Sequence, residues 1–326
     1  ALPICADLYL GPIYTWGTIG GRTDFYMWKP VFLDYSYNFA VRNFRHGSFG
    51  NITKIDNTRQ VKNSESFFSV AAGMPLAHRG VFLIRANGGH VNYRYDSDEL
   101  FADDTDHSRY SFFGIKAELA RNTLDKFLYP RRGSDLKLSG IFVTGRDKYE
   151  PFDAEKFLSR TSRQWVGARL TWDKYFDMPG CSWFSLGLNV DGVITNHPEF
   201  TTEGATVMSM PAYEPVPHAQ MIYMPDFRGK RFAAGGVMPT FDLMPNFFLR
   251  TGFYAMFREK RSFVPGVSGP VEDKRWHYIA EASLVYHTPI GPVSLALTKY
   301  DLRNWKNMYL TFNFGYAIFA PKGTFY

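Results

Sequence analysis

The feature that most constrains this chain is a period-two alternation of side chains that recurs along its length. In "YLTFNFGYAIF" (309–319), small or polar residues alternate with large apolar ones, which are Leu310, Phe312, Phe314, Tyr316 and Ile318. Such alternation predicts a β-strand with one apolar face and one wet face. Two all-β architectures satisfy it: a sandwich, whose apolar face is the core, and an antiparallel transmembrane β-barrel, whose apolar face contacts lipid.

The chemistry of the second face favours the barrel. In "FFGIKAELA" (112–120) it carries Lys116 and Glu118, and in "WFSLGLNVDG" (183–192) it carries Asn189 and Asp191. Charged rows are awkward in a sandwich core but ordinary on a lumen wall. Aromatic residues make up 17% of the chain, as expected for the aromatic girdles of a barrel, while no apolar run is long enough for a transmembrane helix.

The connections between the predicted strands alternate in length. The alternation predicts thirteen strands, at about 7–16, 23–44, 65–76, 80–94, 109–121, 134–145, 161–174, 181–194, 230–242, 246–258, 275–287, 291–300 and 308–319. Turn chemistry marks short connections at 17–21, 76–80, 122–133, 176–180, 242–246 and 288–292. Long polar connections are predicted at 45–64, 95–108, 146–160, 195–229 and 259–274. Short turns on one rim and long loops on the other are typical of outer-membrane barrels.

Thirteen is an odd number, whereas single-chain bacterial barrels usually have an even one. Either the count is in error or strands upstream are missing, and we favour missing strands. The opening stretch "ALPICADLYL" has no basic n-region and no long apolar h-region. The sequence therefore predicts a start that is mature or is not the natural one.

Charge and motif searches exclude several classes of function. The net charge is +6, but Lys and Arg are interleaved with acids, which argues against nucleic-acid binding and favours anionic lipid headgroups. Two cysteines, Cys5 and Cys181, make neither a disulfide framework nor a zinc site. Around Ser268, Pro270 stands where a G-x-S-x-G motif needs glycine, and H-E-x-x-H is absent from the sequence. We predict no catalytic residue, no metal ligand and no cofactor in this chain.

Two weaker signals have ordinary explanations. The acidic stretch "DSDELFADDTDH" (96–107) is better explained as a solvated loop tip than as a calcium loop, because it lacks the D-x-D-x-D-G pattern. The tryptophans lie near strand ends or within strands and are interpreted as girdle residues, with a sugar-stacking platform as the alternative. They are Trp16, Trp28, Trp165, Trp172, Trp183, Trp276 and Trp305.

One motif goes beyond barrels in general. The stretch "LARNTLDKFLYPRRGSDLKLSG" (119–140) resembles the strand–turn–strand signature of the BamA/TamA superfamily of outer-membrane assembly barrels. The matching positions are Arg121, Asn122, Thr123, Tyr129, Pro130 and Gly133. The resemblance implies a periplasmic turn, in which Pro130 fixes φ and Gly133 permits a tight return.

A second stretch, "MPDFRGKRFAAGGVMPTF" (224–241), resembles the long lumen-directed loop of that superfamily, with Phe227, Arg228 and Gly229 as its core. The resemblance implies a partner for Arg228 on the inner wall, at "FFLRTG" (247–252). Phe248 and Gly252 fit the family spacing there, but Arg250 stands where an Asp is usual. We expect the salt bridge to be lost or to be remade with Asp191 or Glu281, since a desolvated Arg needs a partner.

The C-terminal third is similar to the barrel of patatin-like phospholipases of Bacteroidota, through "YHTPIGPVSLALTKYD" (286–301) and "MYLTFNFGYAIF" (308–319). The resemblance implies sixteen strands, with a patatin lipase domain and a POTRA domain upstream. It also implies that the last strand pairs with the first and carries the signal read by the barrel-assembly machinery. That signal comprises Tyr309, Phe312, Phe314, Tyr316 and Phe319. The tail that follows, "APKGTFY", is expected in the periplasm or at the seam.

Residues 1–326 are therefore predicted to form a single outer-membrane β-barrel domain with a lumen-directed loop at about 195–229. The resemblance implies a membrane anchor or translocation domain of a patatin-like protein. Two alternatives remain: an assembly or secretion pore of the BamA/TamA type, and an accessory barrel of a larger envelope complex. The expected partners are outer-membrane lipids, lipopolysaccharide and the barrel-assembly machinery.

Overall fold

In the described part of the chain, fourteen β-strands form one sheet in which each strand is antiparallel to the next in sequence. The computed structural model describes residues 4–10, 14–26, 30–44, 61–96, 105–150, 159–178, 180–216, 219, 224–259, 275–289, 291–300, 308–314 and 322–325. The strands are β1 (Ile4–Leu10), β2 (Tyr14–Tyr26), β3 (Pro30–Phe44), β4 (Val61–Leu76), β5 (Gly80–Asp96), β6 (Thr105–Asn122), β7 (Gly133–Glu150), β8 (Ser159–Met178), β9 (Cys181–Thr195), β10 (Arg231–Met244), β11 (Phe247–Arg258), β12 (Trp276–Thr288), β13 (Gly291–Tyr300) and β14 (Met308–Phe314). Between β9 and β10 lie a short helix, α1 (Glu203–Ser209), and a 3₁₀ turn (Pro225–Phe227). No helix in the described residues is long and apolar enough to cross a membrane.

The predicted count of thirteen strands is one too low, because the connections at 11–13 and 27–29 were missed. In addition, "GTIGG" (17–21), which was predicted as a turn, lies inside β2. These glycines make room for aromatic rings of β3. Gly17 pairs with Phe39, and a Cβ at Gly17 would lie 2.5 Å from Phe39 Cε1. A Cβ at Gly21 would lie 2.7 Å from the Tyr35 hydroxyl. Glycine in a strand often marks such a close approach. The fourteen strands of the described residues are an even number, as is usual for single-chain bacterial barrels.

The connections alternate between two rims. The long-loop rim carries 11–13, 45–60, 97–104, 151–158, 196–230, 259–275 and 301–307, and the short-turn rim carries 27–29, 77–79, 123–132, 179–180, 245–246 and 289–290. Apart from 17–21, the predicted short turns fall between strands as expected. In the described residues no pairing joins β1 to β14, so the closure implied by the resemblance is not part of the described sheet.

One face of the sheet is apolar and exposed, whereas the buried face mixes apolar side chains with charged ones. Large apolar side chains are exposed, among them Phe312 (70%) and Phe314 (62%) of β14, as the alternation predicts. Charged side chains such as Arg42, Glu65 and Asp147 are buried on the opposite face. This arrangement is typical of a membrane barrel and excludes the sandwich, whose apolar faces would be buried. The predicted all-β barrel is confirmed.

The girdle interpretation is wrong for two of the tryptophans. Trp16 and Trp165 are 4% and 1% exposed and lie on the buried face, whereas Trp172, Trp183 and Trp276 are exposed. Residue type alone does not show which face of the sheet a tryptophan occupies, because successive side chains of a strand point to opposite faces. Trp28 and Trp305 lie outside the described residues.

Candidate functional site

The described residues of the 196–230 connection (196–216, 219 and 224–230), here called the interior segment, pack against the buried face of the sheet. Its first part contacts β6, β7 and β8. The Phe200 ring lies 5.1 Å from Tyr110 and 6.3 Å from Trp165, measured between ring centres. The backbone N–H and the hydroxyl of Thr201 both donate to Asp147 Oδ2, at 3.1 and 3.0 Å. Asp147 is fully buried, so the segment supplies the partners of one oxygen of this buried carboxylate.

The predicted loop core lies inside this segment and stabilises its helix. Arg228 Nη1 donates to the carbonyl oxygens of Met208 (2.9 Å) and Met210 (3.2 Å). The last carbonyls of a helix lack helical partners, and a cation there also opposes the negative end of the helix dipole. Tyr213 N donates to Phe227 O at 2.9 Å, which ties the two arms of the segment together.

The second part of the segment reaches β8, β9, β12 and β13. The Tyr213 hydroxyl donates to Asn189 Oδ1 at 2.7 Å. Arg169 Nη2 donates to the carbonyl oxygen of Ala212 at 3.2 Å. The Phe227 ring lies 5.6 Å from His277 and 6.2 Å from Tyr300. The segment therefore contacts strands that are not neighbours in the sheet, from β8 to β13.

Asp191 and Glu281, the predicted partners of Arg228, both form hydrogen bonds with residues of the sheet. Asp191 accepts two hydrogen bonds from Arg169, at 3.1 and 2.6 Å. Glu281 accepts hydrogen bonds from the hydroxyls of Ser283 and Thr298. Within the interior segment, the charge of Arg228 lowers the pKa of the Glu214 carboxyl. Sequence analysis missed Glu214, which lies in an irregular stretch with no periodic pattern.

The β11 positions matched to the family, Phe248, Arg250 and Gly252, all lie on the buried face. The Arg250 guanidinium lies 2.7 Å from Met238 Sδ and 3.5 Å from the Tyr175 hydroxyl. It also lies 5.5 Å from the centre of the Tyr129 ring. A thioether and aromatic rings therefore surround the cation at the position where the family has Asp.

The 123–132 connection, here called the cross-rim connection, lies across the short-turn rim. The Tyr129 hydroxyl donates to Ser294 Oγ of β13 at 2.9 Å. The Tyr129 ring lies 6.1 Å from Phe248 of β11. Arg131 Nη1 donates to both carboxylate oxygens of Asp242 in β10. These strands are distant from β6 and β7 in the sheet, so the connection bridges the rim.

The signature residues at the start and end of that connection shape its backbone. Asn122 Oδ1 accepts from Leu124 N at 2.9 Å, and Thr123 Oγ1 accepts from Ser134 N at 3.0 Å. Gly133 has φ +100°, and a Cβ there would lie 2.2 Å from the Thr123 carbonyl oxygen. Only glycine fits this conformation without strain. Arg121 is exposed and is the next-to-last residue of β6. Pro130 directly follows Tyr129 in the connection.

A third element, residues 322–325, lies on the buried face and is here called the returning segment. Gly323 N donates to Glu65 Oε2, and Asn87 Nδ2 donates to Gly323 O, both at 2.9 Å. Lys322 Nζ donates to Glu214 Oε2 at 2.8 Å. The expectation that this stretch lies in the periplasm or at the seam is wrong for these residues. Buried Glu65 and Asn87 need hydrogen-bond partners, which the segment supplies.

The charges that join the two segments shift one another's protonation. Burial by itself would raise the pKa of the Glu214 carboxyl, but the charges of Lys322 and Arg228 lower it below its ordinary value. Burial lowers the pKa of the Lys322 ammonium to about 8, against the attraction of Glu214. Burial likewise lowers the pKa of His197 to about 3. At neutral pH, Glu214 and Lys322 are therefore mainly charged and His197 is neutral.

Several predicted features lie outside the described residues. They are Ser268, Tyr316, Phe319 and most of the acidic stretch, at 97–104. Within the described residues, no group of three or more His, Cys, Asp or Glu side chains has an arrangement that could hold a metal ion.

Comparison with known proteins supports the fold. The sequence matches no protein-family model and no curated protein. The structure is similar to that of BamA from Haemophilus ducreyi lacking POTRA domains 1–3, with a TM-score of 0.58 and 12% identity over 92% of this chain and 61% of that chain. CdiB from Acinetobacter baumannii gives a TM-score of 0.34 at 9% identity, covering 92% of this chain and 56% of that one. OccK11 from Pseudomonas aeruginosa gives 0.29 at 11% identity, covering 94% and 89%.

The likeness to BamA establishes the barrel fold, and the two lower scores add nothing to it. This chain spans less than two thirds of the length of the BamA chain that it matches. The likeness therefore establishes the fold and not the activity or the partners of the whole protein.

Proposed function

We propose that this chain is an outer-membrane β-barrel of the BamA kind, a membrane-embedded part of protein assembly or translocation, whose resting interior is plugged by its own segments. The observation that carries the proposal is the exposed apolar face of the sheet, which lies opposite a buried face that includes charged side chains. A lipid environment explains the outer face, and a filled interior explains the inner one. The BamA-like fold points to assembly or translocation rather than to open diffusion.

Three elements support the plug. The interior segment contacts strands from β6 to β13, the returning segment contacts β4 and β5, and the cross-rim connection lies over the short-turn rim. The Asp191–Arg169 pair and Asp147 would need water if these elements were absent. We propose that residues 1–326 act as one domain and that the 195–229 loop is its main plug.

Membrane fractionation and gel mobility test the proposal. We expect the native protein in the outer-membrane fraction, and we expect unheated and boiled samples to migrate differently because a barrel stays folded in detergent. Recovery in the soluble fraction, or identical migration of both samples, would contradict it.

The stability cost of a charged substitution on the outer face should depend on its depth in the bilayer. Ile115 lies in the middle of β6 and is exposed. Ile115→Arg should lower the free energy of unfolding by about 2–4 kcal/mol if lipid surrounds this position. The matched control is Ile194→Arg, because Ile194 is also exposed but lies at the rim end of β9; its cost should be about 0–1 kcal/mol. Urea titration in lipid micelles measures both, and equal costs would argue against a bilayer around this face.

The anchor role in a patatin-like protein rests on sequence resemblance alone, and no comparison supports it. The intact mass of the native protein from purified outer membranes tests it. A mass well above 37.4 kDa would mean that the barrel is the end of a larger polypeptide. An upstream domain with G-x-S-x-G would favour the anchor, whereas tandem POTRA domains would favour the assembly or secretion pore.

A further inference from the structure

The returning segment occupies a site on the buried wall that contacts its backbone as well as its side chains. Glu65 and Asn87, from neighbouring strands, bond to the N–H and the C=O of one residue, Gly323. Asn87 is 1% exposed, and Arg42 holds the other oxygen of Glu65 at 2.6 Å. Two fixed side chains that bind both backbone polar groups of one residue form a built site and not a chance contact.

The site also selects by size. A Cβ at Gly323 would lie 2.6 Å from Phe112 Cζ and 3.0 Å from Phe67 Cδ1. Both rings are buried in the main cluster, so they have little room to move. Only glycine fits at the position where the backbone is bound.

Lys322 and Phe325, at the two ends of the returning segment, add a charged contact and an apolar contact to the site. Lys322 pairs with Glu214, and Phe325 packs over Gly114, where a Cβ would come within 2.9 Å of Phe325 Cε2. Phe325 N donates to Lys322 O at 3.1 Å, which closes a turn and places the two side chains. A partly open cavity of about 30 Å³ lies beside Lys322, which is room for about two waters, so the turn fills most of the site.

We propose that the wall of β4, β5 and β6, together with Glu214, is a peptide-binding site that the protein's own Lys322–Phe325 turn occupies. The ligand class is a peptide turn with a basic residue, then glycine, then an aromatic residue two positions further on. An incoming polypeptide with this pattern displaces the returning segment and loosens the interior segment at Glu214. The inference rests on the proposed function in treating this wall as the barrel interior.

Fluorescence anisotropy with a labelled peptide tests the proposal. The probe is APKGTFY, the sequence of residues 320–326. A variant that lacks 320–326 should bind the probe, whereas the full chain should bind it at least about tenfold more weakly, because a tethered segment competes at a roughly millimolar effective concentration. The probe APKVTFY should not bind either protein, since valine collides with Phe112 and Phe67.

A second variant keeps the test valid if the truncated chain folds poorly. Gly323→Val in the full chain should expel the segment and raise probe binding to the level of the truncated protein. The matched control is Gly140→Val, because a Cβ at Gly140 would meet nothing within 4 Å; it should bind like the unaltered chain.

The proposal is overturned if the truncated and full chains bind the probe equally, if neither binds it, or if APKVTFY binds as well as APKGTFY. Each protein is first shown to be heat-modifiable, so that failure of the barrel is seen separately from failure of the site. Binding is measured in detergent micelles and does not depend on the outer-membrane location.

Discussion

Replacing residues 198–228 with a short glycine–serine linker is expected to convert the proposed plugged barrel into an open pore. The segment supplies the groups that bond to Asp147, Asn189 and Arg169 on the inner wall. Without it those polar side chains would face water, and barrels only slightly larger than this one leave an aqueous channel. Single-channel recording in planar bilayers measures the change, which we expect to run from no steady current to long-lived openings.

The control carries the same linker in the short turn at 77–79, which lies on the other rim. It should remain closed, since it leaves the interior segment intact. An unchanged current after removal of 198–228, in a protein that is still heat-modifiable, would mean that the cross-rim connection and the returning segment close the barrel by themselves.

The second large effect is expected at the buried ion pair between β3 and β4. Arg42 Nη1 lies 2.6 Å from Glu65 Oε1, and both side chains are 4% exposed. Arg42→Met should lower the free energy of unfolding by about 3–5 kcal/mol, because it leaves the Glu65 charge without its partner away from water. The urea midpoint in micelles, followed by tryptophan fluorescence, measures the loss.

Arg22→Met is the matched control on the neighbouring strand. Arg22 pairs with Asp24 at 3.0 Å, but both side chains are nearly half exposed, so its loss should cost at most about 1 kcal/mol. The double variant Arg42→Met with Glu65→Gln should recover part of the stability, because no unpaired charge remains while Gly323 keeps an acceptor. Equal costs for Arg42→Met and Arg22→Met would show that the Arg42 site is hydrated.

The sequence predicted the alternation of rims well, since Gly and Pro mark most of the short turns. It failed at "GTIGG", where glycine serves close packing against Phe39 and Tyr35 and not chain reversal. Glycine supports both roles, and the choice depends on a neighbouring strand. The same limit applies to Trp16 and Trp165, whose residue type suggests a girdle but whose strand phase buries them.

The candidate site could be predicted only in outline. The resemblance predicted the Phe227–Gly229 core, and its role stays a prediction. Glu214, Arg169 and the contacts of Lys322 with the buried face were not predicted. These residues lie in irregular segments or come together from strands that are far apart in sequence. No local pattern marks such pairings.

By itself, the sequence determined that this chain is an antiparallel β-barrel with apolar side chains outside. Alternation is a local property, because successive side chains of a strand point to opposite faces. Only the tertiary structure decided what packs on the buried face of the sheet. Residues 196–216, 224–230 and 322–325 show no periodicity, and their described contacts are with buried carboxylates and amides.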